Sequence, residues 1–178
     1  MSKKNIRKKL LNYRKKNFKY CGINFLLLNK TLNKFKNIKK IGAYYPINCE
    51  IDCFETLKKL EKNGYKISLP IIKSKNKIDF HEWSFGDRLK VGLMGIPEPY
   101  NSKQVYPDII FVPMVAFDKH KYRLGYGGGY YDRYIDKISK LKKIITIGMA
   151  FSFQEVNKLP INKYDKKLDF IITEKSIN

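Results

Sequence analysis

The segment Phe111–Tyr134 reads FVPMVAFDKHKYRLGYGGGYYDRY. With Ile109 and Ile110 before it, its apolar start runs to Val115 and has the β-branched content of a buried strand. The run breaks at Phe117-Asp118 into a polar loop. That loop carries Arg123 and then four glycines within five residues: Gly125, Gly127, Gly128 and Gly129. Tyr130-Tyr131-Asp132-Arg133 then open a helical pattern. Strand, glycine loop and helix start together bring backbone N–H groups to a positive helix end, a geometry suited to phosphate oxygens. Glycines alone would fit a mobile turn equally well. An arginine before them and a carboxylate after them add a phosphate partner and a possible metal ligand, which points to nucleotide chemistry.

The 178 residues predict one domain, spanning 1–178, with a substantial core. At 43% hydrophobic and 14% aromatic, the composition is that of a globular chain and not a disordered one. No apolar run reaches the ~20 residues of a membrane span. The charged N-terminus lacks a secretory signal pattern, so a cytoplasmic protein without a membrane partner is expected. Cys21, Cys49 and Cys53 form no CxxC pair, and His81 and His120 lack ligand spacing, so free thiols are expected in preference to a zinc site. The net charge of +21 raises the alternative of a basic nucleic-acid-binding module. Its excess is almost all lysine spread along the chain, and no basic block alternates with aromatics. A solvated surface that favours anionic small molecules is the reading adopted.

The first helical pattern covers residues 2 to about 19, with Ile6, Leu10, Leu11 and Phe18 as its apolar stripe. Lys3, Arg7 and Arg14 fall within ~40° of one another on the side of Leu10. Cations on a core-facing side need a partner; snorkelling at the helix edge is one solution, and a bound anion is the other. Gly22 to about Phe35 predicts a second helix with Ile23, Leu26, Leu27 and Leu32 inward. Lys40–Tyr45 reads as the first buried strand, ended by Pro46, and a helix through Phe54, Leu57 and Leu60 stops at Asn63-Gly64. Glu50 lies just past that first strand, where open α/β sheets place ligands, and either favours a helix N-terminus or accepts from a ligand's N–H groups. Further strands are expected at Tyr65–Leu69, closed by Pro70, at Ile78–Trp83, Ile144–Met149 and Asp169–Thr173. Met94–Pro99 reads as an extended loop, and Tyr130 to about Leu141 as a helix. Trp83 suits either the core or a stacking surface. Strands alternating with helices imply a three-layer α/β/α fold with a mostly parallel central sheet.

At these motifs the chain resembles the 5-formyltetrahydrofolate cyclo-ligase family, also called methenyltetrahydrofolate synthetase. The resemblance rests on VAFD and YRLGYGGGYYDR, supported by KKNIRKKLLNYR, YYPINCEID, Gly95–Pro99, Phe151–Gln154 and Leu168–Thr173, in the family's order. It implies an ATP- and Mg²⁺-dependent conversion of 5-formyltetrahydrofolate to 5,10-methenyltetrahydrofolate, ADP and phosphate. The formyl oxygen would take the γ-phosphoryl group, and N10 would close the ring. By the same resemblance Lys3, Arg7 and Arg14 meet ATP phosphates, and Arg123, Leu124, Gly125, Tyr126, Gly127, Gly128, Gly129, Tyr130 and Tyr131 wrap the triphosphate. Tyr126 through Tyr130 also border the folate, Tyr45 and Glu50 hold the pterin, and Asp132 and Asp169 hold Mg²⁺. Arg123, Tyr130 and Asp132 are the expected catalytic set. Some members carry a lysine where this chain has Gly128, and others have glycine; the position is read as a variant. A monomer is expected, acting on a folate that carries one or several glutamates. A non-catalytic folate- or nucleotide-binding homologue is the remaining alternative, distinguished by ligand binding without product.

Overall fold

The computed structural model describes residues 1–18 and 22–177. Cys21 and the predicted end of the first helix at residue 19 lie outside the described residues. The helices are α1 (Lys3–Lys16), α2 (Phe25–Leu32), α3 (Phe54–Lys62) and α4 (Tyr130–Ser139). The strands in the first half are β1 (Lys40–Gly42), β2 (Lys66–Ser74), β3 (Lys77–Glu82), β4 (Leu89–Val91), β5 (Pro97–Pro99) and β6 (Gln104–Val105). Those in the second are β7 (Ile109–Pro113), β8 (Ala116–Asp118), β9 (Arg123–Leu124), β10 (Ile145–Met149), β11 (Glu155–Val156) and β12 (Phe170–Ile172).

Seven strands form the central sheet in the order β12-β10-β7-β1-β2-β3-β6. The five from β12 to β2 are parallel, and β3 and β6 extend it antiparallel at one edge. Period-two alternation divides the apolar residues of β7 between two cores. Ile109 and Phe111 join Leu28, Leu32, Leu57 and Leu60 of α2 and α3 on one face. Ile110 and Val112 join Tyr134, Ile135 and Ile138 of α4 on the other. The expected three-layer α/β/α arrangement with a mostly parallel sheet is therefore what the chain adopts. A third cluster packs Ile6 and Leu10 of α1 on Ala116 and Leu124 of the small sheet β11-β8-β9.

Four local expectations are corrected. Pro70 does not close its strand. The parallel neighbour β1 ends at the Gly42–Ser68 pair, so Pro70 lies where β2 has β3 on one side only and its missing N–H costs no ladder bond there. Met94–Pro99 is not wholly a loop, because Pro97–Pro99 pairs with Leu89–Val91 as a hairpin. Phe117–Leu124 is also a hairpin and not a loop, with Ala116 opposite Leu124 and Phe117 opposite Arg123. The second helix is shorter than expected: it starts after Asn24, whose side chain caps Leu27 N–H, and it buries Leu28 while Leu26 is 79% exposed. Trp83 belongs to the core, packed against Phe54 and Phe85.

Candidate active site

Strand order reverses between β1 and β7: the chain leaves β1 towards β2 and leaves β7 towards β10. At such a reversal the connections diverge and open a crevice beyond the C-terminal strand ends. A cavity of about 990 Å³ lies here, lined by Tyr44, Tyr45 and Glu50 after β1 and by Pro113 at the end of β7. Its opposite wall is the continuous run Arg123–Arg133, that is β9, the glycine loop and the first turn of α4. Part of the excess positive charge is gathered at this cavity, through Lys3, Arg7, Lys75, Arg123, Lys163 and Lys166.

The glycine loop is shaped by close neighbours. Arg7 Nε donates to the Gly125 carbonyl at 2.8 Å, which ties the first turns of α1 to the loop. Gly127 and Gly129 hold φ of +109° and +63°, conformations that strain any residue with a Cβ. Gly129 is the cap residue of α4, so the chain enters that helix from a left-handed turn and the first N–H groups face the cavity side. A Cβ on Gly128 would meet the Tyr130 ring, so a lysine there would require that ring to move.

Arg123 is 8% exposed. Its Nη2 stands 3.0 Å from Asp132 Oδ2, without hydrogen-bond geometry, and its Nε has no partner. Asp132 Oδ1 accepts from Lys166 N–H at 3.2 Å. On α1, Lys3 pairs with Asp165. Lys3 and Arg123 therefore rest on carboxylates that an incoming polyanion can replace, whereas Arg7 is held by a backbone carbonyl.

Glu50 has the opposite setting. It is 5% exposed; Oε2 accepts from Ile47 N–H at 3.0 Å, and Oε1 is buried with no partner. Burial pushes its pKa up to about 7, against the opposing pull of the Ile47 N–H, the Arg14 charge and the Tyr126 hydroxyl. Glu50 lines the cavity, and a buried carboxylate oxygen without a donor is an unusual expense that a ligand N–H would relieve.

Two predicted site residues are not brought to the cavity. Arg14 is 1% exposed and does not line it; Nη1 donates to the Met114 carbonyl at 3.1 Å and Nη2 to the Tyr126 hydroxyl. Helical spacing placed Arg14 on the side of Lys3 and Arg7, but two turns further along it meets protein instead of the cavity. Asp169 is also elsewhere. The Ile147–Phe170 register sets it level with Thr146, about 10 Å below the strand ends. Its Oδ2 accepts from the Thr146 N–H and hydroxyl, both at 2.8 Å. Among the described residues no group of three or more His, Cys, Asp or Glu could cage a metal. The remaining predicted residues, Lys3, Arg7, Tyr45, Glu50 and Arg123 through Asp132, all border one space.

Sequence reasoning missed Tyr44, the hairpin residues Met94 and Ile96, and Asp165. The hairpin had a signal, since Gly95–Pro99 was one of the matched motifs without a role. Asp165 had none, because only its ion pair with Lys3 marks it.

Comparison with known proteins identifies the family. Residues 1–174 match the 5-formyltetrahydrofolate cyclo-ligase family. A Haemophilus influenzae protein named 5-formyltetrahydrofolate cyclo-ligase is 33% identical over 140 residues, 75% of this chain and 74% of that protein. The NMR structure of Aquifex aeolicus 5,10-methenyltetrahydrofolate synthetase superposes with a TM-score of 0.79 at 35% identity, covering 99% of this chain and 92% of the other. The 5,10-methenyltetrahydrofolate synthetase of Mycoplasma pneumoniae gives 0.71 at 26% identity, over 98% and 99% of the two chains.

Proposed function

The chain belongs to the 5-formyltetrahydrofolate cyclo-ligase family, and on that premise we propose that it converts 5-formyltetrahydrofolate and ATP to 5,10-methenyltetrahydrofolate, ADP and phosphate. One domain, residues 1–178, carries the whole reaction. The observation that carries this reading is the pairing of opposite chemistries across one cavity: a cationic glycine loop faces a buried carboxylate with an unpartnered oxygen.

The formyl oxygen on N5 is a poor leaving group until it is phosphorylated. It attacks the γ-phosphorus, the bond to the β–γ bridging oxygen breaks, and ADP leaves. N10 then adds to the activated carbon and loses its proton, and the C–O bond breaks to release phosphate. This route asks the protein chiefly to align two substrates and offset phosphate charge. Lys3, Arg7 and Arg123 supply that charge, and the backbone from Leu124 to Tyr131 follows the triphosphate into the N-terminus of α4. Tyr130 borders the transferring group, beside Arg123 and Asp132. Glu50 accepts from pterin N–H groups through Oε1, with Tyr45 and Tyr126 through Gly129 forming the folate's border.

The donor set fits Mg²⁺ in one way only. No protein cage exists among the described residues, whereas one carboxylate plus phosphate oxygens and water is an ordinary magnesium environment. Asp132 would hold the ion, which when bound neutralises charge on the β- and γ-phosphates. Asp169, engaged with Thr146, is left out of this assignment. Among the described residues no helix is long and apolar enough to cross a membrane, and the free thiols of Cys49 and Cys53 suit a reducing, cytoplasmic setting.

The test is a spectrophotometric assay of 5-formyltetrahydrofolate, ATP and Mg²⁺ with purified protein, following methenyl-folate absorbance. A rise that requires both ATP and the metal is expected. Binding of both ligands by folded protein, with a flat trace, would instead mark a non-catalytic homologue.

A further inference from the structure

The buried arginine of α1 has a task that neither phosphate binding nor simple packing describes. Arg14 comes from the helix that also carries Lys3 and Arg7, yet its guanidinium is enclosed behind the glycine loop. Nη1 is held by the Met114 carbonyl at the end of the central strand, and Nη2 by the hydroxyl of Tyr126 in the loop itself. The guanidinium also lies over the Tyr126 ring, 5.8 Å from its centroid. Its Nε has no partner. A buried cation with incomplete hydrogen bonding is costly unless a charge of opposite sign faces it.

The carboxylate whose ionised form Arg14 favours is Glu50, which lines the same cavity as the Tyr126 that Arg14 holds. The groups that influence the charge of Glu50, or are influenced by it, are Arg14, Tyr126, Tyr131, Tyr44 and Cys53. Burial raises the pKa of both tyrosines after β1 and α4's start, Tyr44 and Tyr131, and of the Cys53 thiol, and holds Tyr126 up at about 12. All four are neutral at pH 7. Arg14 is then the member of this set that carries charge. We infer that Arg14 is a positioning residue for the folate end of the site: it fixes the Tyr126 hydroxyl and supplies the counter-charge that keeps Glu50 an acceptor for the ligand. The assignment rests on the reading of Glu50 as the pterin carboxylate. It moves Arg14 from the ATP to the folate, which gives it a distinct kinetic signature.

The physical consequence is a proton competition. A protonated Glu50 carboxyl presents a donor or a neutral oxygen to ligand N–H groups, so binding weakens as pH falls through its pKa, about 7 in the free protein. Removing Arg14 takes away a lowering influence and shifts that weakening to higher pH.

The experiment measures KM for 5-formyltetrahydrofolate and for ATP from pH 6 to 9 in the wild type, Arg14→Gln, Arg14→Lys and Glu50→Gln. For Arg14→Gln the folate KM at pH 7 should rise about 5-fold and recover towards the wild-type value by pH 9, which is what a displacement of one pKa unit from about 7 produces. Its ATP KM should stay within about twofold. Arg14→Lys, which keeps the charge but not the paired donors, should shift the same profile by less, and it carries the test if the glutamine variant does not fold. Glu50→Gln should raise the folate KM at every pH and abolish the dependence. An ATP KM that rises while the folate profile stays put makes Arg14 a phosphate contact and overturns the inference. Unmoved profiles in a folded Arg14 variant make it a packing strut and overturn it as well. Should Glu50→Gln leave folate KM unchanged, the failure lies in the reading of Glu50 itself, and the role of Arg14 falls with it.

Discussion

The wall formed by α1, the glycine loop and α4 presents two cations, Lys3 and Arg123, that already rest on carboxylates, whereas the wall after β1 presents a carboxylate with one oxygen lacking a hydrogen-bond partner. Lys3 has Asp165 and Arg123 has Asp132, so each of these cations is already compensated by the protein and can exchange one anion for another. The Ile47 N–H donates to Glu50 Oε2 while Oε1 has no partner, and burial drives the carboxyl towards protonation. The first wall can wait for its ligand at little cost to the fold. The second is held against its own preference, so stability and binding oppose one another there.

That contrast can be broken most sharply at the ion pair. Arg123→Ala and Asp132→Asn should each lower turnover by about 10³-fold, the scale of removing a preorganised electrostatic contact from a transition state. Circular dichroism spectra should remain those of the wild type. Turnover surviving both changes would move the chemistry away from this wall.

Glu50→Gln tests the other wall in two directions at once. Folate KM should rise about 30- to 100-fold, the value of a charge-assisted hydrogen bond. The ligand-free protein, however, should become more stable. Because the folded-state pKa of Glu50 is raised from 4.5 to about 7, the native state binds the extra proton between those values. Stability therefore falls as pH rises through that window, by about 3 kcal/mol, and the loss persists above it. Glutamine removes this loss, so melting at pH 8 should rise by several degrees while melting at pH 4.5 changes little. A lower melting temperature at pH 8 would refute strain at Glu50.

The smallest effect is expected in the loop. Gly129→Ala places a Cβ at φ +63° and 3.0 Å from the Arg133 guanidinium, whose flexible end can yield. About 1–2 kcal/mol of stability should be lost. On the proposed assignment of the loop backbone to the phosphates, the ATP KM should rise several-fold and the folate KM less. Equal changes in both would show that the two walls are not separable.

Much of this arrangement was legible in the chain before folding. Apolar runs such as Ile109–Val115 required buried strands, and the helices between them required a covered parallel sheet, because local periodicity determines which faces must be hidden. The glycine loop between a strand and a helix likewise determined a tight turn into the helix, since left-handed backbone at Gly127 and Gly129 is a property of those residues. What only the tertiary structure decided was where each charge ends. Lys3, Arg7 and Arg14 share one side of α1 by spacing, but the first two reach the cavity and the third is sealed behind Tyr126, because the loop crosses the helix between them. Asp169 has the residue type of a metal ligand, yet strand register sets it at the far end of the sheet beside Thr146. Hydrophobic pattern is written in one dimension. Partnership among charges depends on distances between segments remote in the chain, and only packing supplies those.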